Sequence, residues 1–390
     1  MNIAILTCGM LPIPAVQGGA VENKIDFCLE YNQQKKHHHI TVYSPWHRKA
    51  VNHPAVSSDV NRYVFIDVDS FLAKIKRRLY GFFHKDEYYN YFIEYYFEQV
   101  YADLHKHNFD RIVLDNCPGY VCKLSQRGHK NIVLRLGNDL LNSSSKWHDI
   151  IFNNTRKIMT CSNYIKERVA TIQQDKKIQT LYNGIDVKAF SKKNPQICRK
   201  DISISEEDFL IVFSGRVNKD KGVSELIEAL LKLQNKSNIK LMIIGSTFFA
   251  NAANEDDFVY SLKEKAKNIA DKIVFTGYID YNQMPSYLQL ADIAALPSMW
   301  EEPFVLTIAE ALAAGLPLIT TKSGGIPEIC EGVATIVDRE NIVENLTNAI
   351  LDLYEHPEKR KQMAEASLER AKLFDKEIFV NNFFNLVEEL

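Results

Sequence analysis

Several features that would have narrowed the reading at once are missing from this sequence. No apolar run is long enough to span a bilayer, no cysteine pair has the Cys-x-x-Cys spacing, and there is no low-complexity tract or short-period repeat. The first absence excludes a transmembrane helix. The second argues against a zinc site or a disulfide framework, so the seven scattered cysteines are expected to be reduced and mostly buried. Charge of one sign is lacking too: 47 basic residues against 49 acidic ones leave a formal net charge of -2. No global field then favours nucleic acid or any other polyanion, and an anion site has to be local. The start, Met1-Asn2-Ile3-Ala4-Ile5-Leu6-Thr7, has neither the basic segment nor the apolar run of a secretion signal, which sets a cytoplasmic expectation. After neither candidate first strand does the chain show Gly-x-Gly-x-x-Gly, and it has no Walker loop. A nicotinamide-dependent oxidoreductase therefore lacks its fingerprint.

With 390 residues and 46% hydrophobic content, the chain is too long for one ordinary core and predicts two domains of similar size. Short β-branched apolar runs alternate with helical patterns in both halves, the signature of parallel sheets with crossover helices. In the first half the expected strands are 3–6, 40–43, 64–67, 111–114, 132–136, 158–160 and 179–181. In the second they are 210–214, 240–244, 273–276, 293–296, 318–320 and 335–337. Asn183-Gly184-Ile185-Asp186 supplies a turn and Lys192-Lys193-Asn194-Pro195 reads as a linker, placing the boundary near 190. The domains are then expected at 1–190 and 191–371, with a terminal helix at 372–390 packing back onto the first. His37-His38-His39 is read as a solvated turn between helix and strand, because consecutive side chains rarely converge on one ion.

Three segments carry candidate chemistry. Glu302 and Glu310 lie eight residues apart in Trp300-Glu301-Glu302-Pro303-Phe304-Val305-Leu306-Thr307-Ile308-Ala309-Glu310, with a helix start between them. Its free N–H groups would face the space bordered by the first acid, a place for an anion. The same residues also fit a capping box in which Thr307 caps and Glu310 reaches back. A glycine turn, Gly18-Gly19, precedes the first helix and allows close backbone approach to a phosphate, although by itself a Gly-Gly pair is more often a plain flexible turn. A basic strand exit, Gly215-Arg216-Val217-Asn218-Lys219-Asp220-Lys221-Gly222, puts a guanidinium and an ammonium where ligands gather in open α/β sheets.

Together these segments resemble the retaining glycosyltransferases of family 4. The resemblance rests most on Glu302-Pro303-Phe304 through Glu310, with support from Gly215-Arg216 and Lys221-Gly222, Asn183-Gly184-Ile185-Asp186, Ala291-Asp292 leading to Pro297-Ser298, and Ser323-Gly324-Gly325-Ile326-Pro327-Glu328. It extends over nearly the whole chain and implies GT-B architecture: two facing Rossmann-like, doubly wound parallel-sheet domains with an inter-domain cleft, the first on the acceptor side and the second holding the donor. It further implies that Glu302 meets the donor sugar hydroxyls and that Arg216 and Lys221 hold the diphosphate. Glu310 would take the ribose, amides near Leu306 and Thr307 the distal phosphate, Gly18 and Gly19 the same phosphate, Gly215 the strand exit beside it, and Tyr278 in Gly277-Tyr278-Ile279 the base. No metal or other cofactor is expected. The implied partners are a nucleotide-sugar donor, with uridine diphosphate the commonest carrier, and a glycan or lipid-linked acceptor of surface polysaccharide synthesis.

The chain departs from the family pattern at two positions. Val305 stands where glycine commonly follows Glu-Pro-Phe, and Gly137, in Arg135-Leu136-Gly137-Asn138-Asp139, stands where many relatives carry histidine. Asn138 or Asp139 would contact acceptor or donor instead, or serve as ordinary turn residues. These departures keep open a silent nucleotide-sugar-binding subunit, and a sugar-nucleotide epimerase is the other alternative. Finally, Lys74, Lys76, Arg77 and Arg78 lie among Phe71, Leu72, Leu79, Tyr80, Phe82 and Phe83, ahead of an aromatic helix expected from Tyr88 to Tyr101. This stretch suits either peripheral contact with an anionic membrane face or packing on the first domain.

Overall fold

The computed structural model describes residues 1–84, 90–192, 196–246 and 257–389. The expected linker residues Lys193-Asn194-Pro195 and the expected helix start at Tyr88 lie outside the described residues. The chain divides into two compact units, Met1–Asn183 with Glu377–Leu390, and Gly184–Lys376.

The first unit is built on seven parallel strands: β1 (Asn2–Leu6), β2 (His39–Pro45), β3 (Asn61–Ile66), β4 (Arg111–Asp115), β5 (Ile132–Leu136), β6 (Lys157–Thr160) and β7 (Ile178–Thr180). Their order is β3-β2-β1-β4-β5-β6-β7, so the winding reverses between β1 and β4. Helices cover both faces of such a sheet, and its strands therefore read as apolar runs instead of alternating ones. In β5 all five residues are buried. The Lys376–Glu388 helix completes this core, placing Phe379, Val380, Phe383 and Phe384 in one cluster with Ile3, Ile5, Val42, Val113 and Val133.

The second unit holds β8 (Phe209–Ser214), β9 (Ile239–Ile244), β10 (Ile273–Gly277), β11 (Ile293–Leu296), β12 (Leu318–Thr321) and β13 (Ala334–Val337). These six parallel strands are ordered β10-β9-β8-β11-β12-β13, reversing between β8 and β11. Each unit is thus Rossmann-like and doubly wound.

One expectation needs correction. His38 is not solvated: it is buried, stacks on Phe384 with ring centroids 5.0 Å apart, and its Nε2 lies 3.0 Å from Glu388 Oε1. The returning terminal helix covers it, which no local pattern announces. The basic and aromatic segments also differ from each other. The Tyr91–Leu104 helix buries Tyr95, Tyr96, Phe97 and Val100, whereas the Phe71–Phe83 helix leaves most of its apolar side chains exposed. Among the described residues, no helix is long and apolar enough to cross a membrane.

Candidate active site

In the second unit, loops from the carboxyl ends of β8, β11 and β12 converge on Glu302. The place is the point where strand order reverses, which is where open α/β sheets leave a crevice. Gly222 ends the β8 loop with φ +68, and a Cβ there would stand 2.0 Å from the carbonyl oxygen of Pro297. Only glycine tolerates that approach. The same two loops are tied where Met299 N donates to Asp220 O at 2.8 Å.

This closeness delivers Lys221 to Glu302, with Nζ 2.5 Å from Oε1. Ser298 Oγ donates to the same oxygen at 2.6 Å. Glu302 is only 3% exposed, so its carboxylate depends on these partners to offset the loss of water. From the β12 side, Gly325 N donates to Glu302 O at 2.7 Å. Gly324 has φ +50, and a Cβ on it would lie 2.2 Å from that same oxygen. Arg216 is exposed, and among the described residues its guanidinium has no hydrogen-bond or ion-pair partner. One cation is therefore held against a buried acid while a second stands open beside the strand exit.

The Leu306–Ala313 helix begins four residues after Glu302. Its cap, Val305, is extended, and among the described residues no side chain accepts from the first-turn amides. The capping-box alternative is thus overturned. Thr307 is already inside the helix, and the Glu310 carboxyl interacts with the Tyr281 hydroxyl instead. Glu310 is 4% exposed, and burial pushes its pKa up to about 7 against a smaller opposing effect of that hydroxyl. The amides of Leu306 and Thr307 are left for an outside acceptor, the arrangement that favours an anion at a helix N-terminus.

Gly215, Gly245 and Gly277 line adjacent strand ends. Gly245 N donates to Gly277 O at 2.9 Å, and a Cβ on Gly245 would meet Gly215 O at 1.9 Å. Tyr278 follows and is 40% exposed. Tyr281 and Gly245 were not singled out in the sequence, and Ser298 was named only within the Pro297-Ser298 segment, without a role. Ser298 had a faint signal, four residues ahead of Glu302, whereas Tyr281 and Gly245 had none without strand order.

In the first unit, Gly18 and Gly19 have φ +74 and +107 and precede the Ala20–Lys35 helix, which has no side-chain cap. A Cβ on Gly19 would lie 2.1 Å from Glu22 Oε2, so the glycine also makes room for a buried acid whose pKa burial raises to about 7. Asn138 is exposed. Both oxygens of Asp139 have protein donors, Arg168 Nε at 2.7 Å and Asn142 Nδ2 at 2.9 Å, which is turn chemistry. Gly137 N donates to Asn116 Oδ1 at 2.6 Å, and a Cβ at Gly137 would sit 3.1 Å from Asn116 Nδ2. A side chain at that position would therefore need Asn116 to give way by a few tenths of an ångström. Deeper still, Arg135 bonds both oxygens of Asp115 at 3.2 and 3.0 Å, while Lys24 Nζ donates to Asn183 Oδ1 at 3.1 Å. Arg135 also donates to Asn183. Among the described residues, no group of three or more His, Cys, Asp or Glu side chains could hold a metal ion.

Residues 196–370 match the family model described as glycosyl transferases group 1. Over 95% of each chain, the sequence is 26% identical to spore coat protein SA of Bacillus subtilis. It is 27% identical to the lipopolysaccharide 1,2-N-acetylglucosaminetransferase of Salmonella typhimurium over 52% of this chain and 55% of that protein. Among solved structures, Anabaena Alr3699/HepE in complex with UDP and glucose superposes with TM-score 0.75 at 17% identity, covering 100% of this chain and 99% of that one. With residues 196–370 similar to group 1 glycosyl transferases, the chain is an enzyme of the glycosyltransferase class with the GT-B fold.

Proposed function

We propose that this enzyme moves a hexose-type sugar from a nucleotide diphosphate donor, by preference a UDP-sugar, to a glycan or lipid-linked acceptor of surface polysaccharide synthesis, with retention at the anomeric carbon. The observation that carries the reading is the Lys221–Glu302–Ser298 cluster beside an uncapped helix start and an exposed Arg216. In this reading Glu302 takes the sugar hydroxyls, and Lys221, Arg216 and the amides of Leu306 and Thr307 surround the diphosphate. Glu310 takes the ribose diol and Tyr278 borders the base. Gly215 keeps the strand exit open, and the Gly18-Gly19 turn adds backbone donors. The first unit, which includes Asn138 and Asp139, carries the acceptor side.

Breaking the glycosidic bond leaves an oxocarbenium-like carbon and gathers negative charge on the departing phosphate. Cationic side chains and amides fixed in advance stabilise that charge more than they stabilise the bound donor, and such a difference raises turnover. The acceptor hydroxyl attacks from the face being vacated, and the departing phosphate accepts its proton. Two side-chain cations and a helix terminus supply the positive charge, so the reaction proceeds without a metal.

Support from relatives is of two kinds. One protein with a related sequence is a lipopolysaccharide sugar transferase, and a protein of the same fold holds UDP and glucose. The test is thermal stabilisation of the full chain by UDP, ADP, GDP and their sugars in the presence of a chelator, followed by product analysis over an acceptor panel. Stabilisation by one nucleoside diphosphate and transfer of its sugar are expected. The reading fails if none of them stabilises the protein, if binding needs a divalent ion, or if donor is converted in place with no acceptor present. It fails equally if donor binds with neither transfer nor hydrolysis.

A further inference from the structure

The Phe71–Phe83 helix is turned inside out compared with an ordinary surface helix. A surface helix lays its apolar stripe on the core and its charges in water. Here the side against the first unit carries Ala73, Arg77 and Tyr80. Ala73 is 5% exposed, Arg77 donates to Val68 O at 3.2 Å and covers the Phe92 ring at 4.9 Å, and Tyr80 meets Tyr95 edge-on at 5.8 Å. The outward side carries Phe71, Leu72, Ile75, Leu79, Phe82 and Phe83, exposed by 78%, 68%, 43%, 54%, 64% and 83%. At roughly 100° per residue these six occupy one arc of about 120°, opposite the packed side. Lys76 borders one edge of the arc, and Lys74 and Arg78 border the other. The helix contains no acidic residue.

A contiguous apolar patch of this kind needs a cover. A second copy of the chain fits poorly, because a self-complementary contact would bring the same three cations on each side toward one another. An anionic lipid surface meets both requirements: acyl chains take the phenylalanines and leucines, and long basic side chains on both rims reach back to the headgroups. We infer that the outward side of this helix docks the chain on an anionic membrane surface. The inference rests on the first unit alone and stands independently of donor chemistry, whose residues lie in the second.

The test is flotation of the full chain with vesicles of phosphatidylcholine alone or of an equimolar mixture with phosphatidylglycerol, at low and high salt. Two variants accompany it: Leu79→Glu with Phe82→Glu, and Lys74→Gln with Lys76→Gln and Arg78→Gln. Unchanged melting temperature and unchanged stabilisation by a nucleoside diphosphate show that each variant is folded. The wild-type chain is expected to float with the mixed vesicles at low salt and to be largely released at high salt. The charge variant should lose partitioning by roughly 10²-fold, since each basic residue near an anionic surface contributes several-fold. The apolar variant should not float. The inference is overturned if the chain binds neither vesicle at low salt, if it binds both equally, or if the variants float like wild type. A dimer seen by light scattering, lost in the Leu79→Glu/Phe82→Glu variant and accompanied by no vesicle binding, would assign the patch to a second copy instead.

Discussion

Lys221 sits 2.5 Å from an acid that is almost entirely out of water, so it has two duties that a mutation can separate. It balances Glu302 in the resting protein, and in the proposed reaction it meets charge that grows as the donor bond breaks. Lys221→Ala is expected to lower kcat on the order of 10²-fold, similar to loss of an oxyanion-hole donor. Steady-state kinetics with the donor identified by thermal shift would check this, and a kcat left within twofold of wild type would contradict the assignment. At this scale Glu302, Glu310, Arg216 and Lys221 were legible because charged residues beside a strand exit or a helix start have few structural excuses. Ser298 and Tyr281 were not, since a hydroxyl becomes a partner only when folding sets it against a buried carboxyl. Thr307 misled for a related reason: its spacing to Glu310 satisfies a capping box, yet the helix starts two residues too early for it to serve as the cap.

The strands were legible as elements because sheets buried on both faces demand unbroken apolar runs, and all five residues at 132–136 fell where expected. Helices were less complete. Apolar spacing at Phe379, Phe383 and Leu386 announces an amphipathic helix without saying what it covers. The structure seats Phe383, 4% exposed, in the cluster of the first sheet, far along the chain from its own neighbours in sequence. Phe383→Ala is therefore expected to cost about 3–5 kcal/mol, as large-to-small core changes do. Urea denaturation of the first unit's transition measures it, while stabilisation by nucleoside diphosphate should persist. A loss below about 1 kcal/mol would mean the helix is a loose appendage and not part of the core. The Phe71–Phe83 helix shows the same limit from the other side: its pattern reveals two faces but not which one turns inward.

Across the whole molecule, both units bury carboxyls that resist ionisation. Burial pushes Glu22 and Asp26 in the first unit, and Glu310 in the second, up to about 7. A carboxyl whose folded pKa is raised contributes its full share of stability below its unfolded value, and that share is lost as pH climbs through the folded one. For Glu310 the window runs from 4.5 to about 7. Glu310→Gln should melt close to wild type at about pH 5 and be more stable at about pH 8, by up to roughly 3 kcal/mol. Melting curves across that range test the sign, and an advantage that shrinks with rising pH would show that the carboxyl is held ionised instead. The sequence by itself determined two parallel α/β sheets, the helix start between Glu302 and Glu310, and the cationic strand exit, because periodicity and charge spacing act over a few residues. Only the tertiary structure decided that Glu302 shares Lys221 and Ser298, that Asn116 packs beside Gly137, that the last helix returns to the first sheet, and that six apolar side chains of one helix face outward. Those outcomes depend on which distant segments compete for the same buried volume, and that competition is resolved only when strand order and crossover packing bring them together.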